Sequence, residues 1–200
     1  MAQLAGGEPD PVLVQQLRGG SESALTSLFE RHADAIYTYC FRRTASWHSA
    51  EDATSTVFLE AWRSRVRVEA FDGSALPWLY GIANNVCRNA ARSLHRRVRA
   101  VQRLQVDSSI PDHAEGVVQR VDATRRMAGV LAEISKLPRH EQDVLALVVW
   151  SELSYEQTAA ALRIPLGTVR SRLSRARRRL ATTLDADPTH PIRNAEDDHA

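Results

Sequence analysis

Residues 154–180 read SYEQTAAALRIPLGTVRSRLSRARRRL, and they predict two helices joined by a short turn. Ser154 and Gln157 form a capping box, which starts the first helix. Pro165 ends that helix near Leu162, because proline disfavours helix in the residue before it, and it suits the first turn of the next helix. That second helix has an inward apolar stripe at spacings of three and four, made of Leu166, Val169, Leu173, Ala176 and Leu180. The pattern is typical of a helix-turn-helix.

The second helix is strongly basic, since residues 163–179 contain seven arginines and no acidic residue. A helix fits the major groove of duplex DNA, where arginine reads guanine edges or binds phosphates. A solvated basic helix and a calmodulin-binding amphipathic helix are the alternatives, and the capped helix that precedes this one makes both less favourable. We therefore expect duplex DNA as a ligand.

The composition is that of a globular protein, with 44% hydrophobic and 25% charged residues and a net charge of +2. Two hundred residues permit one large or two small domains. No apolar run approaches the length of a membrane span, and the first residues lack a signal-peptide pattern. We expect a cytoplasmic protein without a membrane partner, whose residues 1–20 form an N-terminal tail.

The sequence contains no motif of an enzyme or of a metal site. Cys40 and Cys87 are too few and too far apart for zinc or for a disulfide scaffold, and both lie in apolar helical patterns, so we expect buried free thiols. The histidines form no metal-binding spacing, and there is no glycine-rich phosphate loop or nucleophile elbow. We therefore predict no catalytic residue, no metal and no cofactor.

Helical periodicity extends over almost every patterned segment, which predicts an all-α fold. We expect two small helical domains joined by a flexible linker, the C-terminal one a helix-turn-helix. The first domain spans residues 21–104 and ends in a row of arginines on one helix face, at Arg88, Arg92, Arg96, Arg99 and Arg103. Residues 105–116 form the linker, 117–182 the second domain, and 183–200 an acidic disordered tail.

Four stretches of the chain, taken in order, resemble bacterial RNA polymerase sigma factors of the extracytoplasmic-function group of the sigma-70 family. They are Leu28-Phe29-Glu30-Arg31-His32, the segment from Ala50-Glu51-Asp52-Ala53 through Val57-Phe58-Leu59-Glu60-Ala61-Trp62, the segment Pro77-Trp78-Leu79-Tyr80-Gly81-Ile82-Ala83-Asn84-Asn85, and residues 152–180. The resemblance covers residues 21–182. It implies that 21–104 is sigma region 2 and that 117–182 is sigma region 4.

The resemblance implies a protein that binds core RNA polymerase, directs it to promoters and helps to melt the −10 element, with no catalysis of its own. An anti-sigma factor or another regulator is the further partner that it implies. The resemblance assigns polymerase docking to Asp52, Phe58 and Trp62. It assigns recognition of the −10 element to the loop Phe71, Asp72, Gly73 and Ser74 and to Asn85, with Arg88 and Arg92 as phosphate contacts. The −35 element falls to Thr168, Arg170, Ser171, Ser174 and Arg175, with Arg178 one turn farther on as a phosphate contact.

Three features depart from the family pattern. Ser55-Thr56 stands in the docking segment where glutamine followed by an acid is common, Gly81 stands where a basic residue is common, and the acidic tail is additional. Trp78 has two interpretations, a stacking face for a base or a core tryptophan packed on Trp62, and the second is the more favourable.

Two other classes of protein remain as alternatives. An autonomous helix-turn-helix repressor or activator would explain residues 152–180 but would leave the first domain without a role. An anti-sigma factor often carries a His/Cys zinc cluster or a membrane helix, and the sequence shows neither.

Overall fold

A computed structural model describes residues 8–102 and 117–186, and for residues 93–102, 117–121 and 183–186 it describes the backbone alone. The all-α prediction is confirmed, since every regular element in these residues is helical. In the part of the chain described, no helix is long and apolar enough to cross a membrane. The predicted linker at 105–116 lies outside the described residues, as does the acidic tail from residue 187 onward.

The described residues of the first half form four α-helices. They are α1 (Asp10–Arg18), α2 (Glu22–Thr44), α3 (Trp47–Arg63) and α4 (Leu76–Gln102), with a short 3-10 turn at Arg65–Arg67. The Ser21 and Ser46 side chains accept hydrogen bonds from backbone N–H groups in the first turns of α2 and α3, which satisfies donors that a helix start leaves free. The loop between α3 and α4 contains Phe71, which was placed in the −10 site.

Helix α1 corrects the prediction that residues 1–20 form a tail. Asp10–Arg18 is helical, and Leu13, Val14 and Leu17 are buried in the core of the first half. Pro11 lies in the first turn, and Gly20, with a φ of 88°, follows the helix end at Gly19; proline and glycine favour these positions. The amphipathic pattern is only nine residues long, and it follows Pro9 and contains Pro11.

The second half consists of α5 (Val117–Ser135), α6 (Arg139–Leu145), α7 (Tyr155–Leu162) and α8 (Leu166–Ala186), with a π-helical turn at Ala146–Trp150 after α6. The predicted capping box is confirmed, because Ser154 and Gln157 each bond the other's backbone N–H. Arg163 takes a left-handed conformation and ends α7, and Pro165 directly precedes α8. Helix α8 extends through 183–186, which corrects the predicted start of the tail at residue 183.

The two halves pack against each other in this structure. A first hydrophobic cluster contains the core of α1–α4 together with Ala146, Leu147 and Leu153 from the second half. A second cluster holds α8 against α5 and α6, and its buried members include Val144, Val169 and Leu173. The second half therefore has its own core and also covers one face of the first.

Candidate nucleic-acid interface

Helix α8 separates an apolar face from a polar one, as the spacing predicts. Val169, Leu173 and Ala176 are buried. The predicted contact residues of the opposite side are exposed, except for Thr168, which is half-buried; the exposed set is Arg170, Ser171, Ser174, Arg175 and Arg178. Their side chains are thus available along one accessible surface of a two-helix motif.

Two arginines in the middle and second half of α8 differ in what they contact. Arg179 Nε lies 3.4 Å from Oε2 of Glu141, whose side chain is only 1% exposed, so Arg179 neutralises a buried carboxylate of its own half. Arg175 Nε donates to the carbonyl of Ser171 at 3.1 Å and is exposed. Because a backbone carbonyl is a weaker partner than a phosphate or a bidentate base edge, Arg175 can exchange it for DNA at lower cost than Arg179 can exchange its ion pair.

The loop before α4 is a tight turn. Phe71 and Ser74 exchange backbone hydrogen bonds of 2.8 and 3.1 Å, and Asp72 and Gly73 between them have φ values of 53° and 74°. Two successive positive φ values define a type I′ turn, for which Asp-Gly is a favoured pair. The turn exposes Asp72 and Gly73 at its tip and leaves Phe71 36% exposed.

A cleft of 920 Å³ lies beside this loop. Phe71, Trp78, Asn85 and Arg88 line it, so the structure brings four of the residues considered for the −10 site to one place. Asp72, Gly73, Ser74 and Arg92 do not line it. Trp78 is half-buried at the margin of the first core and also lines the cleft.

The two successive asparagines of α4 have different roles. Asn84 is 1% exposed, and its Oδ1 accepts a hydrogen bond of 3.0 Å from the Tyr39 hydroxyl. Asn85 is exposed at the cleft. Only Asn85 therefore offers both its donor and its acceptor to a bound base.

Arg88 is engaged in an ion pair that the sequence did not indicate. Its Nη1 lies 3.3 Å from Oδ2 of Asp143, and Arg43 Nη2 lies 3.2 Å from Oδ1 of the same carboxylate. Asp143 belongs to α6 and is 3% exposed. In this arrangement the carboxylate occupies the position at Arg88 that a phosphate would take, so an anionic ligand of Arg88 has to displace it.

The residues predicted for polymerase docking differ in their exposure. Asp52 is 72% exposed on α3, but Phe58 is only 5% exposed and packs edge-on against Phe29, with ring centroids 4.8 Å apart. The assignment of Phe58 to docking stays a prediction, and in this structure its ring faces the core. Leu59 is 49% exposed, and it shares the face of Asp52 because seven residues make about two helical turns.

The third predicted docking residue, Trp62, is half-buried. The Arg65 guanidinium lies 4.5 Å from the centroid of its ring, in a cation–π contact. Its ring is thus partly covered by a residue of the same half of the chain.

Gly81 explains one departure from the family pattern. A Cβ atom at this position would lie 2.5 Å from the backbone oxygen of Ala161 in α7. Glycine therefore allows α4 and α7 to approach closely, and any side chain at residue 81 would push the two halves apart.

The two cysteines are free and buried, as predicted. Their sulfur atoms lie 3.8 Å apart between α2 and α4. Burial raises the pKa of Tyr39 beside them well above its usual range, so its hydroxyl keeps the proton that it donates to Asn84.

Two family models match the chain. One, described as Sigma-70 region 2, matches residues 28–97, and the other, described as Sigma-70, region 4, matches residues 128–180. These ranges contain the cleft and α8, respectively.

Several characterised proteins are similar over most of the chain. RNA polymerase sigma factor HrpL of Pseudomonas syringae pv. syringae is 32% identical over 168 residues, which are 82% of this chain and 89% of that protein. ECF RNA polymerase sigma factor SigW of Bacillus subtilis is 29% identical over 181 residues, which are 86% of this chain and 94% of that protein.

Solved structures share the fold. CnrH in complex with the cytosolic domain of CnrY has a TM-score of 0.63 at 23% identity and covers 90% of this chain and 99% of its own. RpoE of Bartonella quintana in complex with the anti-sigma factor NepR has a TM-score of 0.55 at 22% identity, over 81% of this chain and 97% of its own.

Proposed function

Because this chain belongs to the extracytoplasmic-function group of the sigma-70 family, we propose that its two halves read the two promoter elements with the side chains described above. The protein binds core RNA polymerase and directs promoter-specific initiation of transcription. It is an initiation factor, and the catalytic groups of RNA synthesis belong to polymerase. Because the promoters of a bacterium lie in its cytoplasm, the protein acts there. The observation that carries the proposal is the pairing of an exposed recognition face on α8 with a separate cleft on α4.

Helix α8 reads the −35 element in the major groove. Arg170 lies near the motif's turn and Arg175 lies farther along the helix, and both are exposed. At such positions arginine can bind a guanine edge through two hydrogen bonds. Arg178 lies nearly one turn after Arg175 and binds a phosphate, which adds affinity but no base preference. Thr168, Ser171 and Ser174 supply shorter contacts that fix the register of the helix.

The cleft beside α4 binds an unpaired base of the −10 element. Asn85 recognises the base edge by hydrogen bonds, and Phe71 and Trp78 provide apolar ring surface at the same cleft. Stacking on aromatic rings favours bases that have left the duplex, so this binding stabilises the melted state. Arg88 then holds the adjacent phosphate in place of Asp143, and Arg92, exposed one turn farther along α4, follows the backbone.

Docking to polymerase uses the exposed face of α3. Asp52 and Leu59 provide a charged and an apolar contact on that face, and Phe58 supports it from the core. Ser55 and Thr56 are exposed on the same helix, so they stand beside the contact and weaken its acidic character. Trp62, the third residue assigned to docking, lies at the edge of this face.

A protein regulator of the anti-sigma type is a further proposed partner. Support comes from the structures of CnrH with the cytosolic domain of CnrY and of RpoE with the anti-sigma factor NepR, whose folds this chain shares. The competing interpretation, an autonomous helix-turn-helix repressor or activator, does not account for the region 2 match over residues 28–97.

Transcription from a randomised template pool tests the proposal. Core polymerase with this protein is expected to enrich two short conserved blocks at a fixed spacing, one for each half of the chain. Enrichment of a single block, or no transcript above core polymerase alone, would count against two-element recognition.

A further inference from the structure

Helix α1 contacts both ends of the loop that carries Phe71. At one end, the guanidinium of Arg18 donates to the carbonyl oxygen of Val68, with Nε at 2.7 Å. At the other end, the N–H of Ala75 donates to Oδ2 of Asp10 at 2.7 Å. Val68 and Ala75 are both fully buried. The loop of residues 69–74 therefore projects from two fixed points, and the two ends of one helix fix both.

Asp10 is the stronger of the two anchors. Its carboxylate accepts hydrogen bonds from Arg31 Nη1 at 2.6 Å and from His32 Nε2 at 2.8 Å, in addition to that from Ala75. Burial alone would raise the pKa of Asp10, but the hydrogen bonds from His32, Ala75 and Arg31 hold it well below its usual range. The carboxylate is therefore charged at neutral pH, and charge-assisted hydrogen bonds of this kind are the strong ones.

Ser74 connects this anchor to the helix that carries Asn85. The Ser74 hydroxyl lies 3.4 Å from Oδ2 of Asp10, and it accepts a hydrogen bond of 3.1 Å from the N–H of Leu76, the first residue of α4. One carboxylate thus fixes the end of the loop and, through Ser74 and Ala75, the start of α4. The apolar residues Leu13, Val14 and Leu17 explain why α1 packs on the core, but they do not account for polar contacts to the loop backbone at both of its ends.

We propose that Asp10 and Arg18 are positioning residues for promoter recognition, which hold the loop of residues 69–74 in the shape that places Phe71 at the same cleft as Asn85. This inference rests on the proposed role of that cleft. Ordering a free loop costs conformational entropy for every residue that is fixed. A loop ordered before DNA binds avoids that cost at the binding step, so the bound base is held more tightly.

The test uses Asp10→Asn and Arg18→Gln in the full chain with core polymerase, on a promoter that the wild-type holoenzyme transcribes. Glu22→Gln and Arg125→Gln are matched controls, since they remove the same charges at exposed positions. We expect each anchor variant to slow melting of the −10 element about tenfold, the effect of losing one hydrogen bond to a charged group. Affinity for core polymerase and for the −35 element is expected to stay at the control level.

A double-mutant cycle separates positioning from general stability. If Asp10 acts through the loop, then Phe71→Ala combined with Asp10→Asn slows melting by less than the product of the two single effects, because residues that act together are not additive. The inference would be overturned if a variant lost melting rate and polymerase affinity equally, or if the double variant slowed melting by the full product of the two single effects. Arg18 is exposed, so Arg18→Gln carries the same cycle if Asp10→Asn does not fold.

The inference and the proposed function can fail separately. Phe71→Ala and Asn85→Ala test the cleft itself, and if neither slows melting, the −10 assignment and the inference both fall. If those two variants slow melting while Asp10→Asn and Arg18→Gln match their controls, the cleft stands and the positioning role is refuted.

Discussion

Gly81→Ala is the smallest change that tests how the two halves of the chain fit together. The new Cβ would lie 2.5 Å from the backbone oxygen of Ala161, and ordinary van der Waals contact begins at 3.4 Å. The two helices must therefore separate by about 0.9 Å, or tilt by an equivalent amount. The same movement is expected to lengthen the ion pairs of Arg43 and Arg88 with Asp143, which now measure 3.2 and 3.3 Å.

The expected effect of this substitution follows from the packing. Overpacking of a tight contact costs about 1–3 kcal/mol, which shifts an equilibrium between packed and separated halves by roughly 5- to 150-fold. Gly129→Ala is the matched control, because Gly129 also lies within a helix and a Cβ there meets nothing within 4 Å. Since alanine favours helix over glycine by up to about 1 kcal/mol, the control is expected to be neutral or stabilising.

Energy transfer between two dyes measures the separation of the halves. The dyes are attached through Glu22→Cys and Glu156→Cys, at exposed sites on α2 and α7, while the native Cys40 and Cys87 are buried and react slowly. We expect lower transfer efficiency for Gly81→Ala than for Gly129→Ala. Equal efficiencies for the two variants would refute the reasoning about the close approach of α4 and α7.

Three further predictions concern the DNA contacts and the N-terminal anchor. Asn85→Ala leaves holoenzyme assembly intact but slows opening of the −10 element, because a bound base loses hydrogen bonds worth about 1–3 kcal/mol. Permanganate footprinting measures this opening, and a normal rate in the variant would show that Asn85 does not belong to the site. Arg170→Ala or Arg175→Ala reduces the preference for one base pair of the −35 element by about 1–3 kcal/mol. Arg178→Ala instead lowers the affinity for all sequences alike and reduces its salt dependence. Transcription from randomised −35 templates measures both effects, and a loss of base preference in Arg178→Ala alone would contradict the proposed orientation of the helix. Because the folded-state pKa of Asp10 is lowered, its stabilisation of the fold is present above the ordinary aspartate pKa of about 3.9 and is lost as the pH falls below that value. The free energy of unfolding of Asp10→Asn should therefore fall less in acid than that of the wild type. Parallel plots of this free energy against pH would contradict the prediction.

Local signals in the sequence predicted most of the helices. The capping box at Ser154 and Gln157 and the apolar stripe of α8 depend only on neighbouring residues, and the structure has both. Helix α1 was missed because its stability comes from contacts with distant residues, among them the bonds of Asp10 to Arg31 and Ala75. Such partners, 21 and 65 residues away, leave no periodic signal.

The site was predictable in part for the same reason. Helical periodicity places Phe58 on the inward face of α3, and the structure buries it. The exposed face of α3 instead presents Leu59. The ion pair of Arg88 with Asp143 joins two halves of the chain, and no pattern within either half indicates it.

Dependence on polymerase is the central claim, and one binding measurement tests it most directly. A labelled promoter duplex is titrated with this protein alone and with this protein bound to core RNA polymerase, each against a competitor of unrelated sequence. The account predicts specific retention of the promoter only with core polymerase present, accompanied by a run-off transcript. Tight and specific retention by the protein alone, without a transcript when polymerase is added, would contradict it.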